Sequence, residues 1–225
     1  MKGKTFGAVT IGQAPRQDVT PEILHILGEG YQVMEAGALD GLSPAEIAAL
    51  TPLAGEEVLV TRLLDGSAVQ VAARHIVPRV QAQVTGLFAQ GLPLVVLLCT
   101  GVFPPFQVPG PLLRPQEILY QTAASLGHGL RVGVLTPTPA HIPQVSRDWT
   151  QVLGAPPVVI PATPYAGMGA LEDAARQLKA ARVQLTVLDC IGYNLEMQAH
   201  VRAVTGAPVL LARGLVARVV KELLG

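Results

Sequence analysis

Both cysteines of the chain follow an apolar run and precede a turn that contains glycine. Cys99 ends LPLVVLLC and is followed by Thr100-Gly101, whereas Cys190 ends LTVLDC and is followed by Ile191-Gly192. Short apolar runs of this kind indicate buried strands, so each thiol is predicted at the carboxyl end of a strand. Ligands of open α/β sheets bind at that end. The two thiols are therefore candidates for one chemical site.

Two thiols in such positions predict proton transfer at a carbon next to a carboxylate. Cys99 would remove a proton from one side of the carbon and Cys190 would return it from the other, which requires partly exposed thiols with tuned pKa values. The main-chain N–H groups of the two glycine turns would bind the carboxylate. The alternative is that both cysteines are inert, because free cysteine often behaves as a small apolar residue.

Further polar residues are predicted at the same strand ends. They are Thr10, Gly12 and Gln13 in the first half of the chain, and Thr136 and Thr138 in the second. Arg16 either binds a substrate carboxylate through two nitrogens or lies in solvent at the start of the first helix. Tyr193 is a candidate donor to a ligand, and Asn194 is the expected cap of the following helix. A carboxylate beside a thiol raises the thiol pKa, so Asp189 is expected to bond the main chain or to position a loop.

Other kinds of site lack their motifs. There is no Cys-x-x-Cys pair, and Gly-Met-Gly at 167–169 lacks the third glycine of a dinucleotide-binding loop. The five histidines show no metal-ligand spacing, so we predict neither a metal nor a cofactor. The amino-terminal sequence has no apolar segment typical of a signal peptide, so we expect a cytoplasmic protein with reduced thiols.

The composition limits the class of partner. The 16 basic and 16 acidic residues balance and form no basic run, which argues against a nucleic-acid partner. The longest apolar runs are far shorter than the roughly 20 residues that span a bilayer, which argues against a membrane protein. Only 14% of the residues are charged, which is compatible with an oligomer interface such as that of a homodimer. The expected partner is a small-molecule carboxylate.

Strand and helix patterns alternate along the chain, which predicts the α/β class. Strands are predicted at 6–11, 31–37, 57–63, 92–99, 131–136, 157–160, 185–190 and 208–212. Helices are predicted near 19–28, 43–50, 73–90, 115–127, 139–153, 169–182, 194–205 and 213–224. The Asp65-Gly66 pair between EVLVTRL and AVQVA predicts a hairpin in the first lobe, and Ser43-Pro44-Ala45-Glu46 predicts a capping box at the start of a helix.

Parts of the first half recur in the second, since VTIGQAPR (9–16) resembles VLTPTPAHI (134–142) in the order of strand, loop and helix. We therefore predict two pseudo-symmetric lobes, each a parallel sheet flanked by helices, with a ligand cleft between them. The lobes are placed at 1–115 and 116–205, and the segment 206–225 is predicted to return to the first lobe.

Four segments resemble the AroM family: TIGQAPRQD (10–18), GALDGLS (37–43), LVTRLLDG (59–66) and LDCIGY (188–193). That family is placed with the aspartate/glutamate/hydantoin racemase superfamily of two-lobed α/β proteins. The resemblance implies that Cys99 and Cys190 occupy the two thiol positions of the superfamily. It also implies that the loops after the first strand of each half, which carry the threonines named above, face substrate. Superfamily racemases usually have Asn-Thr after the first cysteine and Thr after the second, so the turns of this chain differ.

The sequence thus favours a cofactor-independent racemase or isomerase that moves a proton by cysteine chemistry. Two alternatives stay open. One is a cofactor-free decarboxylase that uses Cys190 alone, and the other is a non-catalytic small-molecule binding or sensor protein. The sequence does not name the substrate, because selectivity depends on the shape of the site.

Overall fold

The computed structural model of the chain describes residues 4–225, which form two compact units. The first contains the described residues up to Arg114 together with Val220–Gly225, and the second is Pro115–Val219. The strands are β1 (Lys4–Thr10), β2 (Tyr31–Gly37), β3 (Val58–Arg62), β4 (Ala68–Ala72), β5 (Val95–Leu97), β6 (Leu112–Leu113), β7 (Val132–Thr136), β8 (Val158–Pro161), β9 (Leu185–Leu188) and β10 (Val209–Leu211). The α-helices are α1 (Thr20–Leu27), α2 (Pro44–Ala48), α3 (Ala73–Ala89), α4 (Pro115–Gly127), α5 (Ile142–Leu153), α6 (Met168–Ala180), α7 (Leu195–Thr205) and α8 (Ala212–Leu224).

The first unit is built on a four-stranded parallel sheet in the order β2-β1-β5-β6. The second half of β1 and all of β5 are buried, as is typical of parallel strands covered on both faces. Val80, Val84 and Leu87 of α3 share a buried cluster with Val9 and Leu97 of these strands. The sheet therefore holds the carboxyl ends of β1 and β5 side by side.

An antiparallel hairpin of β3 and β4 is added to this unit, with Val58 opposite Ala72 and Arg62 opposite Ala68. Its turn is closed by a bond from the N–H of Leu63 to the carbonyl of Ser67. Gly66 has a φ of 83°, a left-handed conformation that glycine adopts without steric cost. The hairpin predicted from the Asp-Gly pair is confirmed.

The second unit is built on a parallel sheet in the order β10-β9-β7-β8. Leu135 of β7 and Leu188 of β9 are buried in one cluster with Leu178 of α6 and Val201 of α7. The main-chain N–H of Asp189 donates to the carbonyl of Leu135, which extends the pairing of the two strands by one residue.

The two sheets have the same strand order. In each unit the first strand lies between the second strand and the strand that leads to the cysteine, which gives β2-β1-β5-β6 and β8-β7-β9-β10. The predicted fold class, two parallel sheets flanked by helices, is confirmed. The hairpin distinguishes the first unit, because β8 is followed by α6 without intervening strands.

The prediction that residues 206–225 return to the first lobe is wrong for the strand. β10 pairs with β9, with Val209 opposite Thr186, and only Val220–Gly225 group with the first unit. Gly206, in the left-handed conformation with a φ of 72°, ends α7 and turns the chain directly into β10. Because the connection from α7 is short, β10 lies beside β9, the strand that precedes α7. The apolar composition of β10 alone does not specify which of the two sheets it joins.

The sequence also did not predict β6, whose two residues pair with β5 after a proline-rich segment. Two residues are too few to produce a strand pattern.

Candidate functional site

The predicted site residues lie at the carboxyl ends of the strands in their own units. Those of the first unit are Thr10, Gly12, Gln13, Arg16, Cys99, Thr100 and Gly101, and those of the second are Thr136, Thr138, Cys190, Ile191, Gly192 and Tyr193. In the first unit the pairing of β1 with β5 continues through a 2.7 Å bond from the N–H of Leu98 to the carbonyl of Val9. The segments that follow these paired strands therefore begin at the same edge of the sheet.

The turn after Cys99 directs a peptide N–H at the thiol. The N–H of Gly101 donates to Sγ of Cys99 over 3.3 Å. A Cβ atom on Gly101 would lie 3.1 Å from both Leu59 and Phe103, so the turn packs tightly against apolar side chains. Cys99 is half-buried and forms no disulfide with Cys190. A hydrogen bond donated to sulfur favours the thiolate form.

The turn after Cys190 has the same local geometry. The N–H of Gly192 donates to Sγ of Cys190 over 3.4 Å, and this thiol is also half-buried. A Cβ atom on Gly192 would lie 2.8 Å from Cγ of Pro164, so the turn requires glycine for close packing. Each unit therefore presents one cysteine whose sulfur accepts an N–H two residues further along the chain.

The loop after β1 is held by side chains of its own unit. The hydroxyl of Thr10 accepts from the N–H of Gly12 over 3.2 Å. Gly12 lies against the main-chain carbonyl of Arg62 and the buried side chain of Thr61, leaving no room for a Cβ atom. Oε1 of Gln13 accepts from the N–H of Leu64 over 2.9 Å. The β3–β4 hairpin thereby fixes the loop, so the side-chain carbonyl of Gln13 serves the loop.

Arg16 binds a carboxylate of its own chain. Its guanidinium is 3% exposed and donates to both carboxylate oxygens of Asp18 over 2.8 Å, and to the Thr10 hydroxyl over 3.1 Å. Burial raises the pKa of Asp18, but the hydrogen bonds and charge of Arg16 outweigh it and hold that pKa below its usual value. Arg16 therefore holds Thr10, and its burial shows that the alternative of an arginine in solvent is wrong. A contact of Arg16 with a substrate carboxylate stays a prediction.

Two carboxylates that bind the loop after β1 were not predicted from the sequence. Asp40 accepts from the N–H groups of Ala14 (2.8 Å) and Gly37 (2.7 Å), which ties the loop after β1 to the end of β2. Glu35 accepts from the N–H of Arg16 over 2.7 Å. The Asp-Gly pair of GALDGLS was the available signal for Asp40, since aspartate commonly bonds to nearby main-chain N–H groups in turns.

The two threonines after β7 have different environments. The hydroxyl of Thr136 is fully buried and makes no hydrogen bond within the described part of the chain. The hydroxyl of Thr138 accepts from the N–H of Ala140 and so caps a short 3-10 helix, Pro139–His141. Its predicted contact with substrate would compete with that capping bond.

The side chains that follow Cys190 point into the second unit. Ile191 and Tyr193 are both buried, and the Tyr193 hydroxyl donates to the carbonyl of Ala162. Burial, followed by the neighbouring charges of Cys190 and Asp189, raises the pKa of Tyr193 well above its usual value, so this phenol stays protonated. Only the main-chain groups of these two residues therefore remain as candidates for contact with a ligand. Asn194 caps α7 as predicted, by accepting from the N–H of Met197.

The side chain of Asp189 anchors two helices to the end of β9, whereas the sequence led us to expect a bond to the main chain or a role in positioning a loop. One carboxylate oxygen accepts from Nε1 of Trp149 over 2.7 Å and from Nε2 of Gln116 over 3.5 Å. The ring of Tyr120 packs edge-on against Trp149 with centroids 4.7 Å apart. This buried carboxylate connects α4 and α5 to the strand that carries Cys190.

Arg213 was not predicted from the sequence. It is 1% exposed and lies in the first turn of α8. Its Nε and Nη2 donate to the carbonyl of Ile191 over 3.1 and 2.9 Å, and Nη2 also donates to the carbonyl of Gly192 over 3.0 Å. The only sequence signal was a charge inside the apolar segment PVLLARGLV.

Within residues 4–225, no group of three or more His, Cys, Asp or Glu side chains is arranged to hold a metal ion. Over the same residues, no helix combines the length and the apolar composition needed to cross a bilayer.

Several solved enzymes have a fold similar to that of this chain. Aspartate racemase of Picrophilus torridus aligns with a TM-score of 0.66 and 13% identity over 99% of this chain and 95% of its own. Unliganded arylmalonate decarboxylase aligns with a TM-score of 0.63 and 14% identity over 98% and 92%. Maleate isomerase of Pseudomonas putida S16 aligns with a TM-score of 0.61 and 12% identity over 98% and 93%. The protein therefore has a racemase-like α/β fold.

The family follows from a sequence match. The model of the AroM protein family matches residues 6–224, so the chain belongs to the AroM family, as its four motifs predict. No curated protein sequence matches the chain significantly.

Proposed function

We propose that this protein is a racemase or isomerase that moves a proton on the carbon next to a carboxylate, with Cys99 and Cys190 as acid and base. One observation carries the proposal. In both units the strand beside the first strand leads to a cysteine whose sulfur accepts a glycine N–H, over 3.3 Å in one and 3.4 Å in the other. A pair of matched thiols suits a reaction in which one removes a proton and the other supplies one.

The proposed step conserves protons and charge. The thiolate of one cysteine takes the proton from the acidic carbon, and the electron pair of the broken C–H bond passes into the carboxylate as an enediolate. The thiol of the other cysteine then donates its proton to the opposite face of that carbon. The glycine N–H of each turn stabilises the thiolate that forms in each direction of the reaction.

The carboxylate would be bound by main-chain N–H groups of the two turns and by the buried hydroxyl of Thr136, which has no hydrogen-bond partner among the described residues. Thr10 and Gly12 would shape the first-unit side through the loop that Arg16 holds. All of these groups belong to the chain, so the proposed chemistry needs no cofactor. Aspartate racemase and maleate isomerase share the fold and have carboxylates in their names, which supports the substrate class.

A second candidate is a cofactor-free decarboxylase in which Cys190 alone donates a proton. The unequal surroundings of the two turns favour it. The turn after Cys190 is bound by the buried guanidinium of Arg213, whereas the turn after Cys99 packs on Leu59 and Phe103. In this reaction the carboxylate leaves as carbon dioxide, and the thiol of Cys190 protonates the carbanion that remains.

Deuterium exchange tests the proposal and separates the alternatives. We expect a panel of small amino, hydroxy and unsaturated carboxylic acids in deuterated water to include one whose carbon-bound proton exchanges, as measured by NMR. Cys99→Ala and Cys190→Ala should each abolish racemisation or isomerisation, whereas Leu126→Ala, at an exposed position of α4, should leave it unchanged. Carbon dioxide release from a malonate that requires only Cys190 would identify the decarboxylase. Binding to the folded protein without exchange or carbon dioxide release would contradict both reactions and identify a binding protein.

A further inference from the structure

A buried arginine is bound to the turn that follows Cys190. The Arg213 guanidinium is 1% exposed and donates to the carbonyl oxygens of Ile191 and Gly192 over distances of 2.9–3.1 Å. Both carbonyls belong to the turn whose N–H contacts the thiol. Arg213 and the sulfur of Cys190 therefore contact the same Ile191–Gly192 peptide, one through its carbonyl and the other through its N–H.

The position of Arg213 is unfavourable for a cation unless the turn compensates it. The first turn of a helix carries the positive end of the helix dipole, which repels a cation. Burial of a charge also costs free energy unless hydrogen bonds replace the lost water. The carbonyls of Ile191 and Gly192 supply those bonds, so the arginine and the turn stabilise one another.

Peptide geometry transmits this contact to the thiol. The C=O and N–H of a trans peptide point in opposite directions, so a carbonyl of Ile191 held by Arg213 directs the N–H of Gly192 away from the guanidinium. That N–H donates to Sγ of Cys190 over 3.4 Å. A cation on the carbonyl also polarises the peptide and strengthens its N–H as a donor, because hydrogen bonds in a chain reinforce one another.

Asp189 and Tyr193 flank the Cys190–Gly192 segment in the chain, and Cys190, Asp189 and Tyr165 all act on the Tyr193 phenol. The Asp189 carboxylate opposes the formation of a thiolate, although Nε1 of Trp149 and Nε2 of Gln116 donate to it. Tyr193 is kept neutral by burial, and the Tyr165 hydroxyl lies against Gly192. Arg213 places a positive charge on the carbonyls of the same turn, opposite in sign to the Asp189 carboxylate.

We propose that Arg213 is a positioning residue for Cys190: it holds the Ile191–Gly192 peptide so that the Gly192 N–H stabilises the Cys190 thiolate. The inference deepens the proposed function and rests on the role of Cys190 in it as an acid or base. It also predicts that the two thiols differ in acidity, because the turn after Cys99 packs on apolar side chains.

The experiment measures alkylation of Cys190 without a substrate. In a Cys99→Ser background, Cys190 is the one cysteine left in the chain. The rate of its reaction with iodoacetamide is followed by mass spectrometry from about pH 5 to about pH 10, and the midpoint of the rate gives the acidity of the thiol. Arg213→Met and Arg213→Lys are compared with Arg218→Met, a matched control on α8 whose Nη1 donates to the carbonyl of Gly214.

We expect Arg213→Met to move the midpoint upward by about one pH unit, which lowers the rate near neutral pH by about tenfold. Arg213→Lys should move it by a smaller amount, because an ammonium keeps the charge but lacks the fork that reaches two carbonyls. Arg218→Met should leave the midpoint unchanged. A merely structural role of Arg213 would change the melting temperature without moving the midpoint.

A folded Arg213→Met variant with the parental midpoint would overturn the inference. If that variant does not fold, Arg213→Lys decides in the same way: a raised midpoint supports the inference and the parental midpoint overturns it. The result is independent of turnover. If the Arg213 variants raise the midpoint but the protein catalyses no exchange, the inference stands and the proposed function fails. If the protein catalyses exchange but the midpoint does not move, the proposed function stands and the inference fails.

Discussion

At the scale of single residues, Arg16 was a candidate to bind a substrate carboxylate, and it binds the carboxylate of Asp18 in its own chain. Both carboxylate oxygens of Asp18 bind the guanidinium, which in turn binds the hydroxyl of Thr10. Bidentate pairs between arginine and a carboxylate are strong and geometrically specific. A residue that is satisfied in this way fixes the loop after β1 and is not released for a ligand without loss of stability.

This pair predicts a pH-dependent stability. The pKa of Asp18 is lower in the folded chain than its ordinary value of about 3.9, so its contribution is complete above that pH and is lost as the pH falls through the folded-state pKa. We expect Asp18→Asn to lower the free energy of unfolding by about 1–3 kcal/mol near neutral pH. The difference from the parent should shrink below about pH 4, as measured by urea denaturation.

The matched control for this prediction is Asp173→Asn, at an exposed position of α6. Its effect on the free energy of unfolding should be small near neutral pH. A loss in Asp18→Asn that persists unchanged in acid would show that the charge of Asp18 is not what stabilises the loop.

At the scale of elements, a buried carboxylate joins α5 to the end of β9. The Nε1–H of Trp149 donates to Asp189 over 2.7 Å, and Trp149 is fully buried. A buried ionised group that loses a donor retains its desolvation cost, so we expect Trp149→Phe to lower the free energy of unfolding by about 1–3 kcal/mol beyond the loss of volume. Phenylalanine keeps an aromatic ring against Tyr120.

A double-mutant cycle with Asp189→Asn separates the hydrogen bond from the change in volume. The loss of volume is the same in both backgrounds, whereas the penalty of an unsatisfied charge exists only with Asp189. Trp149→Phe should therefore cost less in the Asp189→Asn background, as measured by chemical denaturation. Equal costs in the two backgrounds would show that packing alone accounts for the effect of Trp149.

At the scale of the whole molecule, the second unit has its own sheet and its own core. Its four strands pair with one another, and its apolar residues form a separate buried cluster of α6, α7 and the strands. A unit of about 100 residues with its own core is large enough to fold alone. We expect the fragment 115–225 to melt cooperatively, as followed by circular dichroism.

Trp149 reports on that fragment, because it is the one tryptophan of the chain. In the folded fragment its fluorescence should match that of the full chain, with the blue-shifted emission of a buried indole. Emission typical of a solvent-exposed indole, or a melt without a cooperative transition, would show that the second unit depends on the first for its fold.

Except for the two-residue β6, the order of strands and helices was predictable from the sequence because it depends on local patterns. A run such as LPLVVLLC is apolar over the length of a strand and stops at a glycine turn, so the location of Cys99 at a strand end follows from neighbouring residues. The hairpin at Asp65-Gly66 and the capping box at Ser43 were predictable for the same reason. Each is determined by chemical groups a few residues apart.

Contacts between distant residues were decided only by the tertiary structure. Arg213 binds the carbonyl of Ile191, 22 residues away, and Trp149 binds Asp189, 40 residues away. No periodicity records such pairs, and an apolar strand such as β10 fits the edge of either sheet until its short connection from α7 is considered. By itself the sequence determined the elements and the strand ends that carry the thiols. Folding decided which distant charges and carbonyls come to surround them, because a buried polar group must find its partner in space wherever that partner lies in the chain.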